Sequence, residues 1–164
     1  MRSKKNTEVP FNSLDKKILS TIFDLKDMNL STVSKKVGVS KSTVHNRLKK
    51  LKSGEYINGV IPLIDRSFLS KSITAFSMIN ARYGPEYAEE VGKRISKIKG
   101  IWAVYFVLGS NDFVALIRAR DKSELEKIVN ELSKTEGVER SETIMALNTL
   151  KEDFPESLKL IVNE

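Results

Sequence analysis

Cysteine is absent and histidine occurs once, at His45, in a chain of 164 residues. No disulfide or zinc–thiolate site can form, and one imidazole excludes a multi-histidine metal site within a single chain. Neither a metal nor a cofactor is expected. Long apolar runs are missing as well. No stretch approaches the roughly eighteen residues a membrane span needs, and Met1 to Thr7 is polar and basic, without the apolar segment of a secretory signal. No membrane partner is expected, and the absence of a targeting segment points to the cytoplasm. There is no P-loop, no Gly-x-Ser-x-Gly elbow and no Cys–His pair, so an enzyme is not expected. With 40% hydrophobic and 30% charged residues and no low-complexity run, the composition is that of packed cores, not of extended disorder.

Charge is present and unevenly placed. Residues 1–65 hold 13 Lys and Arg against 6 Asp and Glu, whereas residues 66–164 hold 15 against 15, so the whole net charge of +7 sits in the first part. That part also reads as two short helices around a turn, between Leu30 and Leu51. Ser31 is a cap residue, Val33 and Val37 share one helix face, Gly38 permits the left-handed turn, and Ser40 caps the next helix. In that helix Val44, Leu48 and Leu51 recur at helical spacing, leaving Lys41, Ser42, His45, Asn46, Lys49 and Lys50 outside. A recognition helix needs this combination: lysines hold phosphates, while Ser, His and Asn reach base edges. Lys35, Lys36 and Thr43 complete the expected contact set with double-stranded DNA. The same lysines would serve a DNA architectural protein with little sequence specificity. An earlier helix from Ser13, with Leu14, Ile18, Leu19, Ile22 and Leu25, closes a three-helix core over Val33, Val44 and Leu48. Residues before it read as a basic arm.

The expected domains are a helix-turn-helix unit over 1–55, a linker strand over 56–70 and a second domain over 71–164. Gly54 breaks the recognition helix, and Tyr56 to Ile64 reads as an edge strand interrupted by Gly59 and Pro62. Strands are then expected at Ile73 to Tyr83, Ile101 to Leu108, Phe113 to Arg120 and Val138 to Leu147. One helix carries Tyr87, Val91, Ile95 and Ile98 before Gly100, and another is capped by Ser123 with Glu126 and ends at Gly137. This is an α+β chain: a three-helix domain followed by a ferredoxin-like βαββαβ domain. Every position of Ile101 to Leu108 and of Phe113 to Ile117 is apolar, although helices cover only one sheet face. The other face is expected to meet a second copy in a twofold homodimer, with a ligand or a foreign protein as the alternative; a dimer also pairs two recognition helices for two half-sites.

Ser13-Leu14-Asp15 with Ile18-Leu19, Val37 to Leu48 (VGVSKSTVHNRL), Ile57-Asn58-Gly59 and Gly109-Ser110-Asn111-Asp112-Phe113 together resemble the Lrp/AsnC, or feast/famine, regulators. The resemblance covers nearly the whole chain in the same order. It implies a transcriptional regulator that dimerises through the sheet module, assembles further into octamers and responds to an amino acid or similar small molecule. It also implies an effector site touching Gly109, Ser110, Asn111 and Asp112 and, on the last strand, Ser141 and Thr143. Turn amides suit a carboxylate, and Asp112 suits an ammonium group. Read without the resemblance, the same quartet is a hairpin turn held by an Asx bond. The family usually has glycine where Glu55 stands, whereas here Gly54 comes one position earlier.

Overall fold

The computed structural model describes residues 11–64, 72–82, 84 and 86–162. They form two compact units, one made of residues 11–63 together with 151–162, the other of the described part of 64–150.

The first unit holds α1 (Ser13–Leu25), α2 (Leu30–Val37) and α3 (Lys41–Ser53). Ile18, Ile22, Val33, Val37 and Val44 form its buried centre, with Leu14, Leu25 and Leu48 packed around them, as the helical spacing requires. Gly38 takes φ +83° and ends α2 by donating to Ser34 O at 2.9 Å, and Ser40 caps α3 by accepting from the Thr43 amide. Two expected caps shift. Asn12, not Ser13, caps α1 and exchanges bonds with Asp15 in a capping box, while Asn29, not Ser31, caps α2. In both, an Asn standing one (Asn12) or two (Asn29) residues before the Ser accepts from the free amides of the first turn. Gly54 closes α3 as expected, but Glu55 takes the left-handed φ of +61°. The expected linker strand does not form: residues 57–64 carry no regular structure. Val60, Ile61, Leu63 and Ile64 lie exposed there, and no described strand pairs with them. The basic arm at residues 1–10 and the end of the linker at 65–70 lie outside the described residues.

The second unit holds β1 (Ile73–Ala81), α4 (Tyr87–Ile95), β2 (Ile101–Phe106), β3 (Phe113–Ala119), α5 (Lys122–Ser133) and β4 (Val138–Met145). The sheet order is β2-β3-β1-β4 with every neighbour antiparallel, which is the expected βαββαβ arrangement. The strands stop short of their expected ends: Leu108, Arg120 and Leu147 fall outside them, and Tyr83 lies outside the described residues. Ile98 is buried in the turn after α4 and not within it. Asp121, not Ser123, caps α5, accepting from the Glu124 amide at 2.8 Å. Gly137 follows with φ +89°, where a Cβ would meet Val91 Cγ2 at 2.5 Å, so only glycine fits. Val91 and Ile95 of α4 and Ile128 and Leu132 of α5 bury one sheet face: Ala75, Ile79, Ala81, Phe113, Ala115, Ile117 and Ala119.

One helix was not expected. α6 (Phe154–Val162) belongs with the first unit, not with the sheet domain to which residues 151–164 were assigned. Val162 packs on Leu19 and Leu51, and Lys159 pairs with Asp24 at 2.7 Å and Glu156 at 2.9 Å, while Lys26 reaches Asp153 at 3.2 Å.

Candidate nucleic-acid interface and effector turn

α3 is placed by what it buries. Val44 is fully buried and Leu51 nearly so, which turns Ser42, His45, Asn46, Lys49 and Lys50 outward, all exposed along one side. Lys41 is exposed at its first turn, and Lys35 and Lys36 are exposed on the last turn of α2. The structure therefore gathers eight of the nine expected DNA contacts on exposed positions of two successive helices. Thr43 is the ninth and is half-buried; its hydroxyl meets Ser40 Oγ at 2.8 Å, and Ser42 Oγ lies 2.8 Å from the same oxygen. Lys17 Nζ donates to Val37 O at 3.0 Å and holds the end of α2 against α1. Sequence reasoning left Arg47 out of the contact set. Its side chain is partly exposed and its Nη1 stands 3.7 Å from Asp15 Oδ2 on another helix, a contact that spacing along α3 does not signal.

In the sheet unit the quartet Gly109 to Asp112 joins β2 to β3. Gly109 and Ser110 are exposed, Asn111 is half-buried and Asp112 is buried. Asp112 is fixed by the fold: Oδ2 accepts the Ala81 amide at 2.8 Å, the Tyr87 hydroxyl donates to Oδ1 at 3.4 Å, and the Asp112 amide donates to Ile79 O. A carboxylate held this way positions a turn, and its oxygens are already engaged within the chain. Asn80, missed in the sequence although polar among apolar strand residues, donates from Nδ2 to Ser110 O at 2.9 Å. Ser141 pairs in register with Ile79, and Ile79 with Phe113, so Ser141 and the turn stand at the same end of the sheet with β1 between them. Thr143 lies two residues further on, its Oγ1 3.1 Å from Ser77 Oγ. Beside the turn, Tyr87 also lines an open cleft of about 240 Å³ with Arg82, Glu90, Arg94 and Glu136. Arg94 there pairs with Glu90 and Glu136. Among the described residues, no group of three His, Asp or Glu side chains comes together as metal ligands would.

Two successive stretches of the chain match separate family descriptions. Residues 11–58 match a winged helix-turn-helix DNA-binding model, and residues 74–156 match the Lrp/AsnC ligand binding domain. The HTH-type transcriptional regulator FL11 of Pyrococcus horikoshii is 32% identical over 144 residues, covering 88% of this chain and 94% of its own length. The fold is also that of Escherichia coli AsnC, at TM-score 0.71 and 19% identity over 87% of this chain and 95% of that one. A transcriptional regulator of Neisseria meningitidis, solved as its L-Met complex, superposes at TM-score 0.75 and 18% identity, over 88% of this chain and 95% of that one.

Proposed function

The chain belongs to the Lrp/AsnC family of transcriptional regulators, and from that premise we propose that it reads a specific operator as a twofold dimer under the control of an amino acid. The observation that carries this reading is that the chain's whole net charge falls in residues 1–65, the part that holds the exposed polar face of α3. Lys35, Lys36, Lys41, Lys49 and Lys50 hold phosphates, which supplies affinity without sequence information. Ser42, Thr43, His45 and Asn46 meet base edges, with Asn46 suited to a bidentate contact to adenine. A regulator acting on chromosomal DNA would work in the cytoplasm.

The amino-acid ligand is supported by the Neisseria relative's L-Met complex and by the exposed turn in the matched ligand-binding domain. Gly109, Ser110 and Asn111 offer backbone amides to a carboxylate, and Ser141 and Thr143 offer hydroxyls from β4. Asp112 is the positioning residue of that turn, since its oxygens already serve Ala81 and Tyr87. A second dimer completes the site and extends the assembly toward an octamer.

Selection of promoter fragments at physiological salt, with and without L-methionine and other amino acids, tests both parts. Recovery of an inverted repeat, bound roughly a thousandfold more tightly than random duplex, is the expected result. Uniform binding to every fragment would instead make this an architectural protein, and indifference to every amino acid would remove the effector role from the turn.

A further inference from the structure

Arg47 stands at the border between the core and the outward face of α3, four residues after Thr43 and three before Lys50. Its side chain is 31% exposed, and Nη1 lies 3.7 Å from Oδ2 of Asp15, whose own side chain is only 6% exposed. Asp15 Oδ2 also accepts the Asn12 amide at 3.3 Å, and that bond alone completes the capping box. The other oxygen, Oδ1, is buried without any hydrogen bond. A buried acceptor left bare is costly, and a carboxylate more so than a neutral group. Helix capping does not explain it, because one oxygen suffices for the cap. The ion pair with Arg47 does not reach Oδ1 either, since Nη1 approaches Oδ2, but it sets the guanidinium charge beside this buried carboxylate, and a guanidinium with five N–H donors in one plane keeps others for a second anion.

We infer that Asp15 is a positioning residue that presents Arg47 to a DNA phosphate beside the recognition face. The inference rests on the DNA-binding reading above. Arginine is the residue best matched to a phosphate in a fixed plane, and holding it in place beforehand removes the entropy cost of ordering a long side chain on contact. The cation set that meets DNA is then Arg47 together with the lysines, and α1 contributes to DNA recognition without touching it.

The test measures affinity for the selected operator and for random duplex across salt concentration in the wild type, Arg47→Met, Arg47→Lys and Asp15→Asn, with the Tm of each. For Arg47→Met, the slope of log K against log salt should flatten by about 0.9, one phosphate contact, on both duplexes. Arg47→Lys should keep most of the slope but bind less tightly, since it retains the charge and loses the fork. Asp15→Asn is decisive by its sign. Removing a negative charge from a surface that meets a polyanion tightens binding if only bulk charge matters, whereas loss of the positioning contact weakens it by roughly three- to tenfold. An unchanged slope in a folded Arg47→Met, or Asp15→Asn binding as tightly as the wild type, overturns the inference. If Asp15→Asn does not fold, the slopes of the two Arg47 variants decide alone. A wild type that binds no duplex overturns the DNA-binding reading itself, a result distinct from a wild type that binds while Arg47→Met leaves its slope untouched.

Discussion

On the outer side of α3, neighbouring residues are expected to do different jobs, and the difference is measurable. Asn46→Ala removes donor and acceptor atoms able to tell one base edge from another, so affinity should fall by about 1–3 kcal/mol on the operator and little on random duplex. Lys49→Ala removes a point charge and should weaken every duplex alike, flattening the salt slope by about one phosphate. Both residues are exposed, so neither change should move Tm. Equal losses from both variants on all sequences would abolish the assignment. Glu55 offers a test of stability. Its φ of +61° is strained for any residue with a Cβ, so Glu55→Gly should stabilise the first unit by roughly 0.5–1 kcal/mol, read by chemical denaturation. That position was legible as unusual, because a glycine was expected there and Gly54 stood one place early. Arg47 was not legible in the same way: its role depends on Asp15, thirty-two positions away, and spacing within one helix cannot reveal a partner on another.

At the scale of elements, helices and strands were read from apolar periodicity, and caps were misplaced wherever two good cap residues stood close together, as at Asn12-Ser13 and Asn29 to Ser31. The linker strand failed for a different reason. Branched apolar residues such as Val60 and Ile61 mark an extended chain, but a strand needs a partner, and composition does not say whether one exists. α6 was missed although Asp153 and Glu156 spell a start signal, with Pro155 in the first turn. Val162→Ala should destabilise the first unit by roughly 1–2 kcal/mol, because it opens space against Leu19 and Leu51; an unchanged Tm would mean the helix is not docked. Its ionic contacts add a pH dependence. Hydrogen bonding from Lys159 holds the Asp24 carboxyl below its ordinary 3.8, and Lys26 with the Glu156 amide does the same for Asp153. A depressed folded value means a contribution fully present above 3.8 and lost as pH falls through the lowered values. Hydrogen exchange in α6 should therefore be equally protected at pH 5 and pH 8, and less so below 3.8.

For the whole molecule, the proposed dimer can be tested on the open face of the sheet. On it Ile144, Phe76, Leu116 and Ala103 lie in one cross-strand row, and Glu142, Met78, Val114 and Tyr105 in the next. Phe76 is 38% exposed, Ile144 48% and Tyr105 53%, so the rows make an apolar surface, broken only by Glu142 at its β4 edge, that the helices on the other face cannot reach. This much was legible from β2 and β3, whose unbroken apolar runs do not alternate as a strand with one wet face does. Phe76→Glu places a carboxylate at the centre of that surface without disturbing the buried side of β1, where Ala75 and Ser77 are fully covered. A charge at the middle of an apolar interface must be desolvated without a partner, a cost that weakens association by roughly thirtyfold or more. Sedimentation should then give a dimer for the wild type and a monomer for the variant at low micromolar concentration, with circular dichroism unchanged. The consequence for DNA follows from linkage between half-sites. A dimer engages its second half-site at high effective concentration, whereas a monomer binds each separately. Phe76→Glu should therefore lose affinity for an inverted repeat far more than for an isolated half-site. A variant that sediments like the wild type would show that the apolar face is not where two copies meet, while a monomer with undiminished affinity for the repeat would show that pairing of recognition helices does not depend on the sheet.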